Sequence, residues 1–315
     1  MILCVAGNPS VDKLFEVDRI VPGATHRPSH FVQVPGGKGL NVARAAAALG
    51  EPVIVTGLLA GHAGRWVDEA LAAEGVERRF VWTAGETRSS LSVSDRQAGH
   101  LTEFYEAGTT VSADDWTALD GTVRGLLARA SWLVLSGSHP PGTPENVYAR
   151  LVAAAREAGV RSAVDSRGAA LAEALLEGPD LVKINAHEAE ELLGRRVTGV
   201  EGAHRATREI RDRAGGDGHA AVVTLGADGA VLVEPDGTAL HGRLHVRGRY
   251  PVGSGDAFLA GLVSALHRGD GWQQAMALAL GAATANAEVP GAGRLDPERA
   301  AQLAAASPGH VLLSG

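Results

Sequence analysis

The sequence predicts an α/β fold, a mostly parallel central sheet covered on both faces by helices, and three observations point to it. Short apolar runs alternate with longer segments whose apolar residues recur at helical spacing along almost the whole chain. The polar, glycine-containing motifs fall just after those apolar runs, as ligand sites do at the carboxyl ends of parallel strands. Finally, 315 residues, 45% of them hydrophobic, can bury a sizeable core, and no linker, repeat or low-complexity tract divides them. The expected organisation is a single domain over residues 1–315, with β-rich segments near 13–34 and 88–107 forming a small lid.

The elements follow in chain order. Residues 2–6 form an apolar run that reads as a buried strand, broken by Gly7-Asn8-Pro9-Ser10 ahead of Asp12. Between Phe15 and Val34 the pattern is short and β-branched with Pro22-Gly23 as a turn, which predicts two small strands. Pro35-Gly36-Gly37-Lys38-Gly39 then leads into an alanine-rich helix that stops at Gly50, followed by a strand over 53–59 and a helix over 63–74. Residues 88–107 read as a hairpin: Leu91 and Val93 alternate with polar neighbours, Gln97-Ala98-Gly99 turns, and 101–105 alternates back. Beyond it come helix 113–129, strand 132–136, helix 144–158, strand 161–165, helix 169–176 and strand 181–184. Helices 187–193 and 201–214, strands 220–225 and 230–234, and helices 256–268 and 272–287 complete the pattern.

Composition removes several function classes. With 36 acidic against 29 basic side chains, the net charge is -7 and no run of like charge occurs, which argues against a nucleic-acid or anionic-membrane surface. The single cysteine, Cys4, lies in the first apolar run, so neither a disulfide framework nor a cysteine metal cluster is available. No stretch approaches the ~20 apolar residues of a membrane helix, and the opening run is too short for a signal segment. A soluble, cytoplasmic protein is expected. Lysine is scarce: only Lys13, Lys38 and Lys183 occur, and two of them sit in motifs where a compact ammonium fits better than a planar guanidinium.

Gly253-Ser254-Gly255-Asp256-Ala257 ends a polar loop and opens an apolar-periodic helix. Small residues allow a tight turn, and the free N–H groups and dipole of a first helical turn attract phosphate oxygens. A carboxylate there repels a resting phosphate but can take a proton from a hydroxyl that attacks one; an N-cap role for Asp256 stands beside this reading. Gly36-Gly37-Lys38-Gly39 lacks the Walker spacing, yet its glycines allow close approach of a ligand, with Lys38 and Asn41 reaching it from the first turn. Arg88, between Thr87 and Ser89-Ser90, and Arg27 on the other lid segment are candidates to grip a phosphate monoester. Ser136-Gly137-Ser138-His139 follows a strand but has no nucleophile elbow, so a serine-histidine triad is rejected. His187 and Glu191 have no third metal ligand and read as a solvated helix face. In Lys183-Ile184-Asn185-Ala186-His187-Glu188, Glu188 can hold a water on Mg²⁺, or cap the helix together with Asn185. Thr224-Leu225-Gly226-Ala227-Asp228-Gly229 reads as a hairpin loop or a nucleotide-phosphate contact.

Together, the order of these motifs resembles the ribokinase-like carbohydrate kinases, and within them the phosphofructokinase B-type subgroup that acts on sugar phosphates. The similarity is carried by Asn8-Pro9, Val34 to Ala43, Ser136-Gly137-Ser138 with Pro140-Pro141-Gly142, and the turn ending in Asp256. The resemblance implies a ribokinase-like three-layer sandwich with a β lid, ATP and Mg²⁺ as cofactors, and a ketohexose phosphate as acceptor. It implies that Asp256 is the general base and that the backbone of Gly253, Ser254, Gly255 and Asp256 is the anion hole. Asp12, Gly36, Gly37, Asn41 and Ser138 would then line the acceptor's seat, while Arg88, Ser90, Lys38 and Arg27 meet its phosphate. Lys183, Asn185, Thr224, Gly226 and Gly229 would lie on the ATP side, with Glu188 reaching the metal through water. A homodimer through the lid is the implied assembly. Ser254, Ile184 and His139 stand where the family usually has alanine, proline and leucine. A kinase of an unphosphorylated sugar or nucleoside, or a non-catalytic sugar-phosphate sensor, remains open at this stage.

Overall fold

The computed structural model describes residues 1–246, 248–307 and 311–312. In chain order its first elements are β1 (Ile2–Ala6), β2 (Ser10–Val17), β3 (His30–Gly36), α1 (Lys38–Ala48), β4 (Val53–Ala60), α2 (Gly61–Ala73), β5 (Glu77–Thr83), β6 (Arg88–Asp95) and β7 (His100–Tyr105). Then follow α3 (Ala113–Leu127), β8 (Trp132–Ser136), α4 (Val147–Glu157), β9 (Arg161–Asp165), α5 (Gly168–Leu176), β10 (Leu181–Asn185), α6 (Ala186–Leu193) and α7 (Gly199–Arg213). The remainder is β11 (Ala220–Thr224), β12 (Ala230–Val233), β13 (Ala239–Gly242), α8 (Ser254–Arg268), α9 (Trp272–Glu288), α10 (Pro297–Ala305) and β14 (Val311–Leu312).

Ten strands make the central sheet in the order β14-β13-β12-β11-β10-β9-β8-β1-β4-β5. From β5 to β11 every pairing is parallel, and the three strands beyond β11 run antiparallel. β1 lies inside the sheet between β8 and β4, with Ile2 opposite both Val53 and Trp132. Because side chains alternate across a strand, Ile2, Cys4 and Ala6 join Leu40, Phe258 and Met276 in one core, while Leu3 and Val5 join Trp116, Leu151 and Ile210 in the other. Two apolar layers of helix on one two-sided sheet are the three-layer sandwich that the alternation of elements predicts.

The lid is a second sheet in the order β3-β2-β6-β7. β2 and β6 pair in parallel, with Asp12 opposite Ser90, and the outer pairings are antiparallel. Period-two alternation gives this sheet two different faces: Asp12, Ser90 and Tyr105 share one, and Phe15, Phe31, Leu91, Val93 and Phe104 share the other.

Several elements differ from the expectation. β2 begins at Ser10 rather than near Phe15, because polar residues there pair with β3 and β6 instead of forming a loop. Strand β5 was not foreseen: Glu-Arg-Arg-Phe-Val-Trp-Thr is charged because it lies at the sheet's edge. α10, β13 and β14 were also missed, being short.

Candidate active site

The carboxyl ends of β1, β8, β9, β10 and β11, the start of α8 and the inner face of the lid enclose a cavity of about 1330 Å³. Its floor is the turn into α8. Gly253 has φ of 81°, in the left-handed region, and a Cβ there would lie 2.7 Å from Ala292 Cβ, so only glycine fits. Within the turn, Ser254 N–H donates to Pro251 O and Asp256 N–H to Gly253 O, both at 3.1 Å. That leaves the N–H groups of Gly253 and Gly255 with no backbone acceptor among the described residues, an arrangement that can receive an anion. Asn286, fully buried, steadies the approach: its Nδ2 donates to Val252 O and its Oδ1 accepts from Gly293 N–H, each at 2.9 Å.

Asp256 is buried in the first turn of α8, and Asn41 Nδ2 donates to its Oδ2 at 2.8 Å. Burial first, and repulsion from Asp165 second, push the Asp256 carboxyl up to about 7. Such a group keeps a useful unprotonated fraction at neutral pH while holding appreciable proton affinity, which suits a general base. Asn41 Oδ1 is buried without a partner among the described residues, an acceptor open to a ligand hydroxyl.

On the lid side Ser10 Oγ donates to Asp12 Oδ1 at 2.6 Å, and burial pushes the Asp12 carboxyl up. Gly36 does not line the cavity; a Cβ at that position would sit 2.0 Å from Asp12 Cγ, so its role is to make room for that carboxyl. Gly37, Ser90, Arg88 and Ser138 do line it. Arg88 is anchored through Nε and Nη2 to Asn8 O, at 3.2 and 3.1 Å, and through Nη1 to Glu106 O at 3.1 Å. Arg27 is different. It lies on an exposed loop between β2 and β3 and is not among the lining residues, so the structure does not bring it to Arg88. His139 borders the cavity edge-on to Trp116 and Tyr148, with ring centroids 5.4 and 4.2 Å away, and burial lowers its pKa to about 4.

Opposite the lid, the strand ends supply Lys183, Asn185, Thr224, Gly226 and Gly229, all lining the cavity. Asn185 and Glu188 form a complete capping box: Asn185 Oδ1 accepts from Glu188 N–H, and Glu188 Oε2 accepts from Asn185 N–H, each at 2.9 Å. Lys38 departs from the expectation that it faces the acceptor's phosphate. Its ammonium lies 2.8 Å from both Asp165 Oδ1 and Glu188 Oε1, because α1 starts beside the ends of β9 and β10. Asp165 Oδ2 takes the Lys183 ammonium at 2.7 Å. Burial alone would raise Asp165, but Lys183 and Lys38 together hold it below the ordinary carboxylate range. Sequence reasoning passed over Asp165, although it ends the apolar run of β9 ahead of Ser166-Arg167-Gly168, the strand-end position that marks the other motifs. His187 Nε2 and Glu191 Oε1 lie 3.2 Å apart on an exposed helix face, as the solvated reading expects.

A helix start with two free amides and a buried carboxylate inside it, on this doubly covered sheet, is the arrangement that a phosphotransferase needs. Residues 4–299 match the family described as pfkB family carbohydrate kinase, and the chain belongs to that family. It is 36% identical over 265 residues to a 1-phosphofructokinase of Rhodobacter capsulatus, spanning 84% of this chain and 83% of that one. It is 31% identical over 268 residues to a tagatose-6-phosphate kinase of Staphylococcus epidermidis, spanning 84% of this chain and 85% of the other. Phosphofructokinase-2 from Escherichia coli shares the fold with a TM-score of 0.88 and 28% identity over 97% of this chain and 98% of its own. Arabidopsis thaliana ribokinase, solved with ribose and ATP, shares the fold alone, with a TM-score of 0.75 at 20% identity over 96% of this chain and 98% of that one. The chain is thus an ATP-dependent carbohydrate kinase.

Proposed function

We propose that the chain transfers the γ-phosphoryl group of ATP to a hydroxyl of a phosphorylated ketohexose, with Asp256 as the general base. The observation that carries this reading is the Asp256 carboxyl itself, buried beside the free amides of the α8 start and held near neutral proton affinity. As the acceptor oxygen approaches the γ-phosphorus, its proton passes to Asp256, while the N–H groups of Gly253 and Gly255 stabilise charge on the transferring oxygens. Asp12 and Asn41 hold acceptor hydroxyls, and Ser10 fixes the Asp12 rotamer. Arg88 and Ser90 on the inner lid face receive the acceptor's own phosphate; this cationic partner is what favours a phosphorylated acceptor over a free sugar or nucleoside. Lys183, Asn185, Thr224, Gly226 and Gly229 take the ATP side, joined by Lys38.

Glu188 is the residue that would hold a Mg²⁺ brought with ATP. Among the described residues no group of three or more His, Cys, Asp or Glu side chains is arranged to hold a metal, and Glu188 already has one oxygen on Asn185 and one near Lys38. A carboxylate so engaged would hold the ion through water, as Mg²⁺ commonly allows. When bound, Mg²⁺ neutralises phosphate charge.

Release of ADP in the presence of fructose 1-phosphate, fructose 6-phosphate, tagatose 6-phosphate, ribose or adenosine tests the reading. A preference for a phosphorylated ketohexose is expected; turnover with ribose or adenosine only would overturn it, and none with any acceptor would favour a sensor. The relatives' activities on fructose 1-phosphate and tagatose 6-phosphate order the first trials. The outer lid face, with Phe31 53% and Phe104 60% exposed, supports a homodimer formed lid to lid. Phe104→Asp is expected to yield monomer in light scattering, and an unchanged mass would count against that interface. No described helix is long and apolar enough to cross a membrane, in keeping with a cytoplasmic enzyme.

A further inference from the structure

The Asp165 carboxylate is fully buried, and each of its oxygens meets an ammonium, Lys38 at 2.8 Å and Lys183 at 2.7 Å. The two cations come from separate elements: Lys38 opens α1 just after the glycine turn, and Lys183 lies in β10. Lys183 also touches the floor, since a Cβ on Gly255 would lie 3.0 Å from its Nζ. An ammonium has three donors. Lys183 spends one on Asp165, and Lys38 spends two, on Asp165 and Glu188, so both keep a donor for phosphate oxygens. Asp165 therefore acts on a substrate through the cations it holds.

We propose that Asp165 is a positioning residue for phosphoryl transfer, clamping the Lys38 and Lys183 ammoniums beside the α8 turn so that both meet the phosphate chain in place. Without the clamp, the two like charges repel each other and neither ammonium is held at a fixed place beside the α8 turn. The charged groups facing Asp256 are Asp165, Lys38 and Lys183, with neutral Asn41 hydrogen-bonded to it, so the same clamp balances the base's surroundings.

The inference rests on the reading of Asp256 as base, and two independent readouts separate them. Asp165→Asn is expected to lower kcat by about 10²-fold, the scale of a misplaced reactive group. It is also expected to weaken a non-hydrolysable ATP analogue about tenfold by calorimetry, one hydrogen bond to a charged group. Its acid limb of kcat against pH should move downward, because repulsion of the Asp256 carboxylate is removed while two cations remain. Lys183→Met should move that limb upward, and it serves alone if Asp165→Asn does not fold. Opposite shifts support the clamp. A variant that loses only thermal stability, with analogue affinity and limb position as in the parent, overturns it. If the parent has no acid limb that depends on Asp256, the base assignment fails, and the analogue affinities then decide on Asp165 by themselves.

Discussion

Asn41 Nδ2 donates to Asp256 Oδ2 at 2.8 Å, joining the helix that follows one glycine turn to the helix that follows the other. The bond orients the carboxyl without neutralising it, and α1 and α8 pack together, so the alignment is a property of the core. Replacing Asp256 by Asn keeps the shape and removes the proton acceptor. We expect kcat to fall by ~10²–10⁴-fold while acceptor affinity measured by calorimetry stays within about threefold. Near-normal turnover would exclude Asp256 as the base.

The rate should also report the proton on Asp256. Because the carboxyl titrates near 7 and only its ionised form accepts a proton, kcat/KM is expected to fall about tenfold per pH unit below that midpoint and to level off above it. A profile flat down to pH 5 would contradict the assignment.

Stability follows with the opposite sign. The folded-state pKa, about 7, lies above the ~3.9 of an unfolded aspartate, so the contribution of Asp256 to stability is fully present below pH ~4 and is lost as pH rises through 7. Asp256→Asn should therefore melt a few degrees above the parent at pH 8 and close to it at pH 4. Equal displacement at both pH values would mean that packing, and not ionisation, is responsible.

Arg88 offers a test of acceptor class. Arg88→Ala is expected to raise KM for a phosphorylated ketohexose by 10–100-fold, the worth of a charge-assisted contact, and to lower kcat far less. Since Arg88 also holds Asn8 O and Glu106 O, Arg88→Lys is a needed companion: it keeps the charge but not the fork, and should recover part of the loss. Unchanged KM in both variants would point to an unphosphorylated acceptor.

Gly36 tests the acceptor seat from behind. A methyl group there lands on the Asp12 carboxyl, so Gly36→Ala should displace Asp12 and raise acceptor KM about tenfold, with ATP affinity untouched. Loss of both affinities together would indicate wider damage to the turn.

The features legible from the order of residues alone are local in kind. The alternation of apolar runs and helical periodicity set the sandwich, and Gly253-Ser254-Gly255-Asp256 and Gly36-Gly37-Lys38-Gly39 mark helix starts because a tight turn and its glycines are contiguous in the chain. The capping box of Asn185 and Glu188 was legible for the same reason. The company each group keeps comes from the packing of the whole fold. Lys38 and Asp165 are 127 residues apart, and they meet because β9 lies between β8 and β10 in the sheet. Asp165 carries no local signature beyond its strand end, and Asn286 sits within a helix with nothing in its neighbours to single it out. Arg27 looked equivalent to Arg88 on the chain, yet strand pairing puts Arg88 against the cavity and leaves Arg27 on an exposed loop. Contiguous residues specify backbone conformation through short-range sterics and hydrogen bonding. The charge balance that holds Asp256 near neutrality depends on strand order and burial, which the whole core sets at once.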